Sequence, residues 1–139
     1  MTTPYESGTL LLRLYELRRD PELRAARDWF IHRFHPKSAE EVFATWMGPD
    51  SAPYRMMTTY WEMAATLVRH GAIDETMFHS ANTEYVAVIA KLQPYLPDLR
   101  QMSGTPDYLA ELEALVTGMP DAGRRLSMMR KYMRKKEPG

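Results

Sequence analysis

The stretch from Ser51 to His70, SAPYRMMTTYWEMAATLVRH, constrains this chain more than any other. Tyr54, Met57, Trp61, Ala64 and Val68 recur at helical spacing on one face, and Met56, Tyr60, Met63 and Leu67 on another. A helix that is apolar on two faces must be enclosed by other elements. The reading is therefore a central core helix, stopped by Gly71 and ringed by further helices.

The flanking sequence supplies those helices. Leu10, Leu14 and Leu17, widened by Leu11 and Tyr15, form a first stripe. Asp20-Pro21 pairs a good N-cap with a favoured first helical residue, opening a second helix through Leu23, Ala26, Phe30 and Phe34 that ends at Pro36. Its polar face carries Asp20, Arg24, Asp28 and His32 at four-residue steps, with Arg27 facing water. Ser38-Ala-Glu-Glu41 reads as a capping box for a short helix through Val42, Phe43 and Trp46.

After the core helix, Asp74 opens a short turn with Met77 and Phe78. Asn82 or Thr83 caps a helix bearing Tyr85, Val88, Ile89, Leu92 and Leu96, which Pro94 and Pro97 kink or end. Thr105-Pro106 starts another through Leu109, Leu112, Leu115 and Val116. The last runs from Asp121 to about Lys136, with Leu126, Met129 and Met133 in line. No segment sustains strand alternation, so the expected fold is all-α: one domain, residues 1–139, with four or five main helices and some short ones.

Composition limits the function. Hydrophobic residues at 45% and charged residues at 26% describe a globular chain. Formal net charge is zero, which argues against a dedicated nucleic-acid binder, since such affinity needs a basic surface. The charge is nonetheless uneven. From Asp121 to Gly139, seven Lys/Arg face two acids, a surplus of +5 that leaves −5 on the rest. No cysteine is present, so disulfides, thiolate zinc sites and cysteine nucleophiles are all excluded. The longest apolar runs, of about six residues, fall far short of a membrane span. MTTPYESGTL lacks the basic start and apolar core of a secretory leader, and a cytoplasmic location is expected.

Catalytic motifs are missing: there is no phosphate loop, nucleophile elbow or zinc-protease helix. Asp28, His32 and His35 share a spacing that suits metal ligands, but a solvated helix end accounts for them more simply, and no metal or cofactor is expected. Glu62 stands out as an acid inside the core helix. Buried alone, a carboxylate is costly, so it needs a partner. Thr58 and Thr66 cannot ionise, and Arg55 and Arg69 lie two turns off, which makes Arg100 the expected partner. The alternative is an acid or base in a ligand pocket lined by Tyr60 and Trp61, as in a small-molecule-binding or enzymatic bundle.

Met128, Met129 and Met133 sit among Arg130, Arg134 and other cations, a basic amphipathic pattern that could serve a partner surface, although packing of the methionines against the bundle core explains them more simply. A non-enzymatic interaction or regulatory module is therefore the expected function, its partner another protein or a second copy of the chain.

The string RMMTTYWEMAATLVRHGAIDETMF, followed by EYVAVIAKLQPYLPDLR, resembles a family of small helical bacterial proteins labelled a domain of unknown function. The matching points are Tyr60-Trp61-Glu62, Gly71, Ile73-Asp74, Phe78, Pro94 and Arg100. The resemblance implies a helical fold and no particular activity. Many such relatives carry an N-terminal membrane helix that this chain does not, so a membrane-anchored role is not implied.

Overall fold

The computed structural model describes residues 2–135; Lys136, the expected end of the last helix, lies outside them. The helices are α1 (Pro4–Arg18), α2 (Pro21–His32), α3 (Ala39–Trp46), α4 (Ser51–Arg69), α5 (Glu75–Ala81), α6 (Tyr85–Leu92), α7 (Leu96–Ser103), α8 (Ala110–Thr117) and α9 (Ala122–Arg134), with a 3-10 turn at Gln93–Tyr95. Among the described residues there is no strand. No helix of these residues is long and apolar enough to cross a membrane.

Helix α4 is the axis. It packs on α2 and α8 most closely and also touches α3, α5 and α6. Its Tyr54, Met57, Trp61, Ala64, Ala65 and Val68 are buried, as the first apolar face requires. Of the second face only Tyr60 is buried, Met56 and Leu67 are half-buried, and Met63 is exposed, because no helix covers that side of α4 fully. Helix α6, buried along nearly its whole length, forms a second layer between α8 and α9. One continuous core results.

Local signals set most boundaries. The Asp20 carboxylate accepts from the Glu22 and Leu23 amides at 2.8 and 3.3 Å, and Ser38 Oγ accepts from Glu41 at 3.1 Å. Gly71, at φ +83°, takes the left-handed conformation that ends α4.

Four further expectations fail for physical reasons. Leu17 is exposed, because α1 rests on the bundle by one narrow edge through Leu14. Helix α2 stops at His32 rather than Pro36, its end closed from outside by the Lys91 ammonium, which donates to the Phe30 carbonyl at 2.6 Å and also to Phe34. Neither Asn82 nor Thr83 caps α6; the Asn82 side chain instead accepts from Arg18 at 3.0 Å. Helix α8 begins at Ala110, not at Thr105-Pro106. Tyr108 stacks on Trp46 at 4.3 Å and bonds the Tyr54 hydroxyl at 2.7 Å, and buried Leu109 then adopts φ +56°.

Candidate functional site

Glu62 projects from α4 toward the start of α8. That helix has no capping side chain of its own, because Leu109 at the cap position is apolar. The Glu62 carboxylate fills the role: it accepts from Leu112 N–H at 2.8 Å and Glu111 N–H at 3.2 Å. These are the second and third amides of α8, the ones an N-cap side chain normally serves. Burial raises the Glu62 carboxyl above its ordinary range; the Leu112 and Glu111 amides and the nearby Arg100 charge pull it back only in part.

The expected Glu62–Arg100 ion pair is thus replaced by a helix cap. Arg100 donates through Nε to the Tyr108 carbonyl and through Nη2 to the Glu113 carboxylate, both at 2.9 Å. Arg69 pairs with Glu111 at 2.7 Å. Glu62 and Arg100 therefore lie in one network about the N-terminus of α8, acting on each other through space.

Tyr60 and Trp61 lie elsewhere. The Tyr60 hydroxyl donates to the Leu14 carbonyl of α1 at 2.6 Å, and its burial pushes its pKa up to about 12. Trp61 meets Tyr60 edge-on at 4.8 Å and packs against Phe78 and Tyr85, with the Arg18 guanidinium 5.4 Å above its ring. The carboxylate turns to α8, and the rings turn to α1, α5 and α6. Asp28 and His32 are bonded to each other at 2.9 Å, whereas His35 turns back onto the His32 carbonyl at 3.0 Å. The three side chains do not converge as a metal site would require.

The α9 residues divide. Met133 is core. Arg130 donates to the Ala90 carbonyl at 2.9 Å and to Gln93 Oε1 at 3.0 Å, closing the end of α6. Arg134 borders a small depression beside His35 and Pro36. Met128 and Met129, by contrast, line a groove of about 460 Å³ between α9, α2 and the start of α6. Its apolar walls are Met128 and Met129, Ile31 from α2, and Val86 and Ala87 from α6. Met128 is 57% exposed.

Polar groups mark the groove's rim. Glu84, whose side chain is only 11% exposed, is held by Arg27 and, at 3.5 Å, by Arg18. Burial pushes its carboxyl upward and the two arginines, Arg27 first, oppose that shift. Arg125 stands on the opposite wall. Arg27 is exposed, as its place on the polar face of α2 predicts, but its pairing with Glu84 is not predicted by the sequence. The available signal was a lone acid directly before the wholly apolar run Tyr85–Ala90.

An all-helical bundle with a single-domain core and a half-apolar, arginine-rimmed groove is the class these features define. Residues 5–119 match the model of the family described as a domain of unknown function, DUF4760, and the chain belongs to that family. Helix α9, which supplies one wall of the groove, lies beyond the matched segment. No curated protein matches the chain, and no solved structure does.

Proposed function

We propose that this protein is a non-enzymatic interaction module that seats a segment of a partner protein in the groove between α2, α6 and α9. The observation that carries the reading is the pairing of exposed Met128 and half-buried Met129 with Ile31 and Val86 across an open cleft. Methionine side chains adapt to varied apolar surfaces, which suits a docking wall. The alternative of a ligand or catalytic pocket at Glu62 has against it the engagement of that carboxylate by two backbone amides. The setting we propose is the bacterial cytoplasm, where a chain without cysteine forgoes no disulfide.

Selection from a displayed peptide library, followed by amide-shift mapping on isotope-labelled protein, tests the reading. Selected peptides should carry apolar anchors and shift the amides of Ile31, Val86 and Met128, and Met128→Glu should weaken them at least tenfold. Failure to select any peptide, or shifts centred on α8 and Glu62, would overturn it.

A further inference from the structure

The groove does not end at Arg27. That side chain also lines a second hollow, of about 270 Å³, formed by Tyr15, Arg18 and Arg19 at the end of α1 and Arg24 on α2. Groove and hollow therefore adjoin at Arg27, an apolar cleft beside a cationic one. Five guanidiniums line the two together, Arg18, Arg19, Arg24, Arg27 and Arg125, against the single carboxylate of Glu84. In a chain of zero formal net charge this is a marked concentration.

Glu84 does not cancel it. Its carboxylate is already held by Arg18 and Arg27, whereas Arg19, Arg24 and Arg125 have no ion-pair partner among the described residues. Nearby acids are turned to local tasks. Asp20 caps α2, Asp28 bonds His32, and Glu16 sits 4.0 Å from Arg13. Glu16 and Asp20 line a further depression beside Arg19, and Asp28 one beside Arg24 and Arg27, so these acids stand at the outer edge of the arginines and not in the hollow itself.

Resting on the docking reading above, we infer that the partner segment is acidic: an amphipathic peptide whose apolar side chains enter the α2–α6–α9 groove and whose carboxylates extend over the α1–α2 arginines. Guanidiniums present paired donors that match carboxylate geometry, and charge complementarity of this kind selects partners and speeds encounter. A nucleic acid or a lipid headgroup would draw on the arginines chiefly through its phosphates, whereas a single amphipathic segment places apolar side chains in the cleft and carboxylates on the arginines at once.

Two synthetic helix-forming peptides test the inference. Both carry Leu and Phe four residues apart; one ends in three Glu, its twin in three Gln. By fluorescence anisotropy at low salt the Glu peptide should bind roughly tenfold tighter, and added salt should erode the difference. The double substitution Arg19→Gln, Arg24→Gln, at exposed positions outside the groove, should remove most of the advantage and leave the Gln peptide's affinity unchanged. Equal binding of both peptides would overturn the acidic partner while leaving the groove reading standing. Binding of neither would overturn both. Capture by phosphatidylserine vesicles or by single-stranded RNA that depends on Arg19 and Arg24, with no preference for the Glu peptide, would overturn the inference in favour of those ligands.

Discussion

The Glu62 carboxylate of α4 accepts the Leu112 N–H of α8 at 2.8 Å, so one helix caps another across the core. The same device closes two more helix ends, with the opposite charge as the helix dipole demands: Lys91 of α6 on the end of α2, and Arg130 of α9 on the end of α6. Removing a cap typically costs about 1 kcal/mol, and an amide left buried without a partner costs about 1–3 kcal/mol. Glu62→Ala should therefore lower stability by roughly 2–3 kcal/mol in urea unfolding. Glu62→Gln, which keeps one carbonyl oxygen for the amides, should cost less than half as much. An unchanged midpoint for the alanine variant would show that α8 does not depend on the cap.

The two buried acids predict a pH effect. Burial raises the folded-state carboxyls of both Glu62 and Glu84 above the ordinary value of 4.5. In the window just above that value the folded state binds more protons than the unfolded state, so stability falls as pH rises. The contribution is fully present below pH 4.5 and is lost as pH passes through the raised values. Unfolding of the wild type and of the Glu62→Gln, Glu84→Gln double variant from pH 4.5 to pH 7 checks the sign: the variant should show the shallower decline. A steeper decline in the variant would contradict it. Glu6, lowered chiefly by its bond from the Thr3 amide, acts in the other direction in both proteins and drops out of the difference.

Three glycines separate backbone strain from crowding, because a Cβ at Gly8, Gly71 or Gly104 would meet no atom within 4 Å. Gly71 and Gly104 hold φ of +83° and +69°, and alanine there should cost about 1–2 kcal/mol through the backbone alone. Gly8 lies inside α1 with no such constraint, and Gly8→Ala should stabilise by about 0.5–1 kcal/mol. Thermal melts of the three variants should show opposite signs. A shared sign would contradict the assignment.

What the sequence displays and what it hides follow from the range of each interaction. Asp20, Ser38 and Asp74 act on amides two or three residues away, so their helix starts are readable directly. The enclosure of α4 is readable because Tyr54, Trp61 and Val68 recur on one face. Glu62, Lys91 and Arg130 act across 50, 61 and 40 residues, and nothing near them in sequence announces the carbonyl or amide they serve. Glu62 is readable as an acid that needs a partner; that the partner is a helix end instead of an arginine depends on Leu109 turning to positive φ. The groove itself is not legible: Met128 and Met129 stand out as surface candidates and Met133 packs in the core as its spacing allows, but Arg27 and Glu84 meet across 57 residues.

The division of labour between Glu62 and the groove is most directly tested by titrating one binding peptide, selected against the wild type, into Met128→Glu and Glu62→Gln under conditions where both remain folded. Met128→Glu should lose affinity at least tenfold while Glu62→Gln binds as the wild type does. The reverse pattern, with binding lost at Glu62 and kept at Met128, would contradict a structural Glu62 and a functional groove together.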